Sequence, residues 1–248
     1  MKNRIITSIL FFSTLLGIWY LIFYFKLRSP AVLPSPFEVL SSFPSFFLDK
    51  YVDIFSTVRK SIVAFVLSVP IGIVSGYLIF YARRLRYPNE LLLDFLRSIP
   101  ATALIPIFMM VFGANDTTKI AIGTFSSALI ICLSTIQGLK NRNITRLQIS
   151  SIIGLSNLKR FLYIDIPESL SQIFIGLRAG VSLALILVVV SEMFIGSNNG
   201  LGKVINDTQY SDAIPKVYCA LIVTGVVGYL FNYTLILAEK KIMHWQGQ

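Results

Sequence analysis

Residues 169–193 read SLSQIFIGLRAGVSLALILVVVSEM, an apolar run whose only charged side chains are Arg178 and, close to its end, Glu192. A helix that crosses a membrane needs about 20 apolar residues, because the hydrocarbon layer is about 30 Å thick. The run is long enough for this, and it lacks the alternation of apolar and polar residues that is typical of a β-barrel strand. It therefore predicts a membrane-spanning α-helix.

Five further apolar stretches extend this prediction to the whole chain. The composition agrees, since 55% of the residues are hydrophobic, only 14% are charged and the mean hydropathy is +0.73. A soluble domain carries roughly 25% charged residues, so the soluble classes of protein are excluded. We predict an all-α polytopic membrane protein with six transmembrane helices, the other five covering residues 5–25, 61–82, 98–115, 120–139 and 217–238.

The Lys and Arg residues between the spans indicate an orientation. If the amino terminus is cytoplasmic, 13 of these residues fall on the cytoplasmic side and 8 on the outer side, and Arg178 inside a span completes the total of 22. Cytoplasmic loops of membrane proteins carry an excess of Lys and Arg. The distribution therefore predicts that both termini are cytoplasmic, and it explains the net charge of +10 without a nucleic-acid partner.

The sequence offers little support for catalysis or metal binding by this chain. Cys132 and Cys219 lie inside apolar runs and belong to no Cys-x-x-Cys or Cys/His cluster, so we expect neither a metal site nor a disulfide. Residues 196–203 superficially resemble a phosphate-binding loop, but Ser197 and Val204 stand where a Walker A motif requires Gly and Ser or Thr. We therefore expect ATP chemistry in a separate chain.

Small residues and prolines inside the spans mark candidate contacts. Residues 72–76 and 176–180 both have the Gly-x-x-x-Gly spacing, which lets two helices approach closely in lipid. Pro100 and Pro106 free backbone carbonyls in the third span, which a membrane tolerates where protein or a water-filled cavity meets them. These prolines indicate either a segment that lines a pathway or a plain kink.

Arg178 and Glu192 are the strongest charges inside the spans, and a charge at that depth is typical of a functional site. They lie about 21 Å apart along one helix at 1.5 Å per residue, so they do not pair with each other. We expect Glu192 to shape an outer gate or to pair with a basic residue of a neighbouring helix, with direct substrate contact as the alternative. The candidate residues of a translocation path or gate are Pro100, Pro106, Arg178 and Glu192.

The segment 140–168 is basic but has an apolar pattern of its own. Gly154 interrupts this pattern at a position that suits a sharp turn between two short amphipathic helices. Pro167 suits the first turn of the fifth span, where its missing N–H costs little. An exposed apolar face on such a loop needs a partner, either the membrane surface or another protein. The apolar residues are Leu147, Ile149, Ile152, Ile153, Leu155 and Leu158.

This segment resembles the cytoplasmic signature loop of the permeases of ABC importers. The family pattern is Glu-Ala-Ala, three residues, Gly, nine residues and Ile-x-Leu-Pro, and here residues 148–150, Gly154 and residues 164–167 follow one another at the same spacing. The Gly and the final Pro are retained. The Glu-Ala-Ala triplet is replaced by Gln-Ile-Ser, and Ile166 stands for the Leu before Pro167.

The resemblance to the nitrate/sulfonate/taurine group of these permeases extends from about residue 59 to Trp245. In that group an Arg opens the fifth helix, a Glu closes it, a Gly-Leu-Gly turn follows, and the third helix is rich in Pro. One departure is Ser171, where the group often has a second Pro. The similar stretches here are Gly176-Leu-Arg178, Ser191-Glu192-Met193, Gly200-Leu-Gly202 and residues 98–113.

The resemblance implies an importer permease with the ABC type I fold in the bacterial plasma membrane. Two permease subunits, expected as a homodimer, would form the translocation path, two cytoplasmic ATP-binding subunits would power it, and an extracytoplasmic binding protein would deliver the solute. That solute would be small and anionic or organic, of the nitrate, sulfonate, taurine or vitamin-precursor type. The chain would bind no cofactor and would not be an enzyme, because its partner would use the ATP.

The resemblance also implies which residues meet the ATPase. The loop around Gly154 would dock in a groove of each ATPase, while Arg146, Lys159 and Arg160 reach acidic surface. Residues 1–58 would form an N-terminal transmembrane helix and an outer loop, and residues 59–248 a core of five transmembrane helices with a coupling loop at 140–167. An ion-coupled secondary transporter and an integral-membrane enzyme are the alternatives. The expected coupling residues are Ser150, Ser151, Ile152, Gly154, Leu155, Ser156, Arg160 and Pro167.

Overall fold

The computed structural model describes residues 2–25, 32–82, 86–211 and 213–243, and all regular structure in these ranges is helical. Trp245, part of the resemblance above, lies outside them. The elements are α1 (Lys2–Tyr24), α2 (Pro36–Tyr81), α3 (Arg86–Ser98), a 3₁₀ turn (Ala101–Leu104), α4 (Ile105–Phe112), α5 (Asp116–Lys140), α6 (Ile144–Ile152), α7 (Asn157–Arg160), a π-helical turn (Phe161–Asp165), α8 (Ile166–Ile195), α9 (Leu201–Gln209) and α10 (Ile214–Ile242).

Within the described ranges, four helices are long and apolar enough to cross a membrane: α2, α5, α10 and the continuous helix Phe161–Ile195. A further candidate is the pair Leu91–Ser98 and Ala101–Phe112, which bends by 87°. Helix α1 contributes the shorter apolar stretch Ser13–Tyr24. This arrangement is consistent with six spans, but the third is broken instead of straight, because the residue before Pro100 is disfavoured in a helix.

Helix α2 begins much earlier than predicted and replaces much of the expected outer loop. The Ser35 hydroxyl accepts a hydrogen bond from the Glu38 N–H (3.1 Å), and the Glu38 carboxylate accepts one from the Ser35 N–H (2.9 Å). This capping box starts the helix, and Pro36 fits the first turn. The helix has 46 residues, so it is about 69 Å long, more than twice the hydrocarbon thickness. The expected boundary at residue 59 falls inside it.

Helix α5 packs between α2 and α8 at glycines. A Cβ atom on Gly72 of α2 would lie 2.6 Å from the Ile131 Cβ, and one on Gly176 of α8 would lie 2.5 Å from the Ser134 Cβ. The Ser127 hydroxyl donates to the Gly180 carbonyl at 2.8 Å. Small residues that bring backbones together are typical of helix contacts in membranes. The contacts predicted from the two Gly-x-x-x-Gly spacings are confirmed.

Helices α5 and α8 run antiparallel, which gives the molecule two ends. Gly138, near the end of α5, lies against Ser169 near the start of α8, and Gly123, near the start of α5, lies against Ala184. The segment from α6 to the π-helical turn therefore lies at one end, which we call the Gly154 end. The loop between α8 and α9 lies at the other, which we call the Gly200 end.

The first half of α2 packs against α9 and α10 near the Gly200 end. The side chain of Phe46 is fully buried there, together with Leu201 of α9 and Cys219 of α10. This cluster holds the loop between α8 and α9 against α2, where the second site described below is found.

Candidate functional site: an exposed turn and two buried ion clusters

The Gly154 end carries a turn between two short helices. Helix α6 begins where the Asn143 side-chain oxygen accepts a hydrogen bond from the Thr145 N–H at 2.9 Å. Gly154 follows the helix with φ +69°, a conformation that glycine adopts at no steric cost. Helix α7 then starts at Asn157. The two short helices and the glycine turn predicted from the sequence are confirmed.

The apolar tip of this turn faces away from the protein. Ile152 is 84% exposed and Ile153 is 67% exposed. A Cβ atom on Gly154 would meet no atom within 4 Å. An exposed apolar patch of this kind marks an interaction surface. Three of the predicted coupling residues adjoin the tip and are exposed or half-buried: Ser151, Leu155 and Ser156.

Three other predicted coupling residues lie behind the tip. Ser150 is only 1% exposed, and its hydroxyl donates to the Leu147 carbonyl at 2.6 Å. Pro167 occupies the first turn of α8, as predicted. Arg160 is directed toward the end of α2. These residues therefore hold the turn in place and do not form its outer face.

Arg160 belongs to a group of charges that joins the turn to the transmembrane helices. Asp165 is fully buried and accepts hydrogen bonds from the Tyr81 hydroxyl at 2.7 Å and from the Arg142 guanidinium at 2.5 Å. The Tyr81 oxygen accepts hydrogen bonds from Arg142 and, at 2.6 Å, from Arg160. We call Tyr81, Arg142, Arg160 and Asp165 the Asp165 cluster.

The Asp165 cluster connects four parts of the chain. Tyr81 ends α2, Arg142 follows α5, Arg160 ends α7 and Asp165 precedes α8. Two guanidinium groups share one carboxylate, and aromatic faces take up part of the remaining positive charge. The Arg142 guanidinium lies 4.8 Å from the Phe80 ring centre, and that of Arg160 lies 5.1 Å from the Tyr81 ring centre. The hydrogen bond with Tyr81 raises the pKa of the Arg160 guanidinium, which therefore stays charged.

Two of the basic residues near the turn form ion pairs within the chain, and the expectation that they also reach an acidic partner stays a prediction. Arg146 pairs with Glu168, whose carboxylate also accepts a hydrogen bond from the Asn143 N–H at 3.2 Å. Arg160 contributes to the Asp165 cluster. Lys159 has an exposed side chain, so the expectation stays a prediction for this residue. The surface at the tip is mainly apolar.

The Gly200 end holds a second buried group, centred on Glu192. The Glu192 side chain is 0% exposed and pairs with Lys60 of α2, which is 1% exposed, at an Oε1–Nζ distance of 2.6 Å. The Thr57 hydroxyl donates to Oε2 at 2.8 Å, and the Gly202 N–H donates to the same oxygen at 3.0 Å. Glu192 is thus in an ion pair with a neighbouring helix, one of the two expected arrangements. A role at a gate stays a prediction.

Gly200 and Gly202 make room for this carboxylate. Gly200 has φ +156°, and a Cβ atom there would lie 2.3 Å from the Glu192 Cδ. A Cβ atom on Gly202 would lie 2.1 Å from the Val189 carbonyl oxygen. Helix α9 starts at Leu201, so the N–H groups of its first turn face a negative charge, which is favourable at a helix N-terminus. The Gly-Leu-Gly turn therefore forms one side of the space that the Glu192 carboxylate occupies.

A second lysine extends this group toward the surface. The Lys60 Nζ also lies 3.0 Å from the Asn199 carbonyl oxygen and 3.5 Å from the Asp116 carboxylate. Lys119 is 2% exposed and donates to Asp116 and to the Ser197 hydroxyl, both at 3.0 Å. The group ties α2, α5 and α8 to the loop before α9. We call it the Glu192 cluster, with the members Thr57, Lys60, Asp116, Lys119 and Glu192.

The structure does not bring the four predicted path residues together. Arg178 lies well along α8 from Glu192 and is 3.4 Å from Glu239 of α10, with 33% of its side chain exposed. Pro100 precedes the 3₁₀ turn, and Pro106 lies in the first turn of α4. The two prolines therefore flank the bend between α3 and α4, and both side chains are exposed in the single chain.

A cavity of about 250 Å³ lies between this bend and α5. Pro100, Leu104 and Ser126 are among the residues that line it. The Ser126 hydroxyl is buried and has no hydrogen-bond partner within the described part of the chain. Because buried polar groups are normally paired, this hydroxyl is suited to a water molecule or a polar solute.

Sequence reasoning missed the partners of Glu192 and the role of Asp165. Lys60 and Lys119 are two of the eight basic residues that the charge distribution places on the outer side. A usable signal is present, because Asp53, Thr57 and Lys60 recur at the spacing of one helix face, although the polar residues of this stretch lead to the prediction of a loop. In the described ranges no group of three or more His, Cys, Asp or Glu side chains is placed to hold a metal ion.

Known relatives are similar to this chain over most or all of its length. Residues 68–242 match the protein family described as binding-protein-dependent transport system inner membrane component. The aliphatic sulfonates transport permease protein of Bacillus subtilis is 23% identical over 237 residues, which are 95% of this chain and 86% of that protein. The taurine transport system permease protein of Escherichia coli is 22% identical over 255 residues, with 100% of this chain and 92% of that protein covered.

A solved structure agrees at the level of the fold. An inward-facing structure of the MetNI methionine ABC transporter has a chain that superposes with a TM-score of 0.68 at 16% identity, covering 77% of this chain and 94% of that chain. The helices, the exposed glycine turn and the family match lead to one conclusion. This chain belongs to the inner-membrane components of binding-protein-dependent transport systems, the permeases of ABC importers.

Proposed function

We propose that this chain is the membrane subunit of an ATP-driven importer and that its Gly154 turn docks on a separate cytoplasmic ATPase. The observation that carries the proposal is the exposed Ile152 tip with the Asp165 cluster directly behind it. Docking would remove the apolar tip from water, which favours association. The buried charges behind it would keep the turn from yielding when the ATPase moves. Membership of the importer family supports an ATP-binding subunit as the partner.

The docking face in this proposal is smaller than the set expected from the sequence. It comprises the residues at and next to the tip, whereas the buried Ser150, the inward-facing Arg160 and Pro167 support it from behind. A rigid support is needed because side chains that are held in place lose less freedom on binding. The proposed contact residues are Ser151, Ile152, Gly154, Leu155 and Ser156.

Co-purification tests the docking face. The wild-type permease should carry an ATP-binding subunit with it, and Ile152→Glu should lower the amount by at least about tenfold, because placing an unpaired charge in an apolar groove costs more than 1.4 kcal/mol. Ile144→Glu is the matched control, since Ile144 is 71% exposed but lies at the opposite end of α6. Full retention of the ATPase by Ile152→Glu would contradict the proposal. Uptake without any ATPase would favour a secondary transporter.

We further propose that the Gly154 end and both termini are cytoplasmic. The excess of Lys and Arg on that side supports this orientation. The test is a single cysteine at Ile152 or at Asn198, both of which are exposed, with Cys132 and Cys219 buried in the described structure. A membrane-impermeant maleimide should label position 198 in intact cells and position 152 only after permeabilisation. The reverse pattern would overturn the orientation.

We propose a small anionic or organic solute, delivered by an extracytoplasmic binding protein to a path between two copies of this permease. The relatives named for sulfonate and taurine transport support this class. Within the described residues, the cavity beside Pro100, where the Ser126 hydroxyl lacks a hydrogen-bond partner, is the place that we expect to line the path. Glu192 is less suited to line the path, because the positive charge of Lys60 compensates its negative charge. The transport core would begin within α2, near residue 59, and continue to residue 248, with residues 1–58 as an added N-terminal part.

Stimulation of ATP hydrolysis tests the solute class. The assembled importer in lipid vesicles should hydrolyse ATP faster when the binding protein is loaded with a small sulfonate, taurine or nitrate. Stimulation only by solutes outside the nitrate, sulfonate, taurine and vitamin-precursor type would show that the proposed class is wrong.

Crosslinking of single cysteines at Thr102 would report whether two copies of the permease meet at the bend between α3 and α4.

A further inference from the structure

We infer that Tyr81, Arg142 and Asp165 are positioning residues that transmit movement of the Gly154 turn to helix α2. The inference rests on the proposed docking of that turn on an ATPase. Its basis is that the Asp165 cluster bonds the last residue of α2 to the segment that carries the turn. Movement of the turn therefore acts on α2 through specific side chains and not only through the loop that follows α5.

The attachment of α2 to this segment is both polar and aromatic. The Tyr81 hydroxyl lies 2.7 Å from the Asp165 carboxylate. The rings of Tyr77 and Phe161 pack with their centres 4.1 Å apart. Phe161–Asp165 is a π-helical turn, an uncommon geometry that is often found at functional positions. The end of α2 thus contacts both ends of this turn.

The middle of α2 lies in the Glu192 cluster. Lys60 and Thr57 hold the Glu192 carboxylate. Lys60 and Tyr81 are 21 residues apart in one helix, a distance of about 32 Å at 1.5 Å per residue. A continuous helix of this length is stiff, and bending concentrates at features such as Pro70. Displacement of Tyr81 is therefore passed to the Glu192 cluster or absorbed at Pro70.

The composition of the Asp165 cluster links it to the turn. Two guanidinium groups face one carboxylate. One of them, that of Arg160, ends the short helix that follows the Gly154 turn, so movement of the turn acts directly on the pairing of the buried Asp165.

The test compares Tyr81→Phe with Tyr163→Phe. Tyr163 lies in the π-helical turn that the end of α2 contacts, but its side chain is 74% exposed. It therefore controls for the loss of a hydroxyl from this region. The assembled importer is placed in lipid vesicles, and solute uptake and ATP hydrolysis are measured together. Tyr81→Phe should hydrolyse ATP at the wild-type rate while solute moved per ATP falls at least about fivefold, the lower edge of ordinary allosteric coupling. Tyr163→Phe should match the wild type.

A second variant tests whether the residues act through one contact. Asp165→Asn should lower solute per ATP in the same way, and the double variant with Tyr81→Phe should be no worse than the more severe single variant, because residues in one network are not additive. If Asp165→Asn prevents assembly of the importer, the ratio of solute to ATP in the milder variant Tyr81→Phe tests the inference by itself.

Two results would overturn the inference. One is an unchanged ratio of solute to ATP in Tyr81→Phe. The other is a parallel loss of hydrolysis and uptake, the signature of defective assembly and not of positioning. Failure of the proposed function is recognised separately, because it appears in the wild type as absence of a bound ATPase, or as an unaffected Ile152→Glu variant.

Discussion

Replacing Glu192 with Gln removes the negative charge from the Glu192 cluster while leaving the size of the side chain almost unchanged. The Gln oxygen can still accept from the Thr57 hydroxyl and the Gly202 N–H, which donate to Glu192 at 2.8 and 3.0 Å. The loss therefore falls on the pair with Lys60, whose Nζ lies 2.6 Å from the carboxylate. Both side chains are essentially inaccessible to water, so water does not replace the missing partner.

The surroundings of Lys60 set the size of the effect. Removing one partner of a buried ion pair costs about 3–5 kcal/mol. Lys60 keeps the Asp116 carboxylate at 3.5 Å and the Asn199 carbonyl at 3.0 Å, so we expect the lower value, about 3 kcal/mol. At roughly 2–4 °C per kcal/mol for a chain of this size, the melting temperature should fall by roughly 6–12 °C. Lys60→Met should cost more, because it leaves Glu192 charged and buried.

Thermal unfolding of the purified permease in detergent measures this effect. Glu239→Gln is the matched control, since the Arg178–Glu239 pair is longer, at 3.4 Å, and partly exposed, and such pairs contribute about 1 kcal/mol or less. The double variant Lys60→Met, Glu192→Gln should lose less stability than the sum of the losses in the two single variants. Unfolding of Glu192→Gln at the wild-type temperature, or simple additivity of the two changes, would refute the reasoning.

The same variant separates gating from assembly. If the Glu192 cluster shapes an outer gate, the folded Glu192→Gln complex should show less stimulation of ATP hydrolysis by the loaded binding protein at a temperature where it remains assembled. Normal uptake together with normal stimulation would leave Glu192 as a purely structural residue.

Two pairs of glycine variants test the packing by thermal unfolding. Gly200→Ala should destabilise the protein by about 2 kcal/mol or more, because φ is +156° and the new Cβ would lie 2.3 Å from a buried carboxylate. Gly196→Ala should cost less, because φ is +77° but the new Cβ would lie in open space. Gly72→Ala should cost about 1–3 kcal/mol, because its Cβ would lie 2.6 Å from that of Ile131, whereas Gly225→Ala meets no atom within 4 Å and should not destabilise the helix. Equal behaviour within either pair would contradict the packing described.

The parts of the fold that follow from local patterns were predictable from the sequence. A long apolar run predicts a span because the membrane thickness fixes its length, and this held for α5, α8 and α10. Gly154 and its flanking apolar residues predicted the exposed turn for a similarly local reason. The start of α2 was missed although its capping box is present at Ser35 and Glu38, because the polar residues between Glu38 and Lys60 interrupt the apolar run.

The two ion clusters were not predictable in the same way. Glu192 and Lys60 are 132 residues apart, and Tyr81 and Asp165 are 84 apart. Nothing in the spacing of one segment shows which distant helix lies beside it. The charge of Glu192 indicated that a partner must exist, since a lone buried charge is too costly, but several basic residues were equally suitable.

The two clusters together restrict how α2 can move. The glycine contacts with α5 bring the helices close, yet small side chains alone allow several positions along the helix axis. A shift of α2 by one turn, about 5.4 Å, would break the buried ion pair between Lys60 and Glu192 and the hydrogen bond from the Tyr81 hydroxyl to Asp165. The broken ion pair would cost about 3–5 kcal/mol and the lost hydrogen bond to a charged group about 1.5–3 kcal/mol, so sliding of α2 along its axis is disfavoured. We therefore expect a change between two arrangements of the permease to tilt or rotate α2 together with the segments bonded to Lys60 and Tyr81.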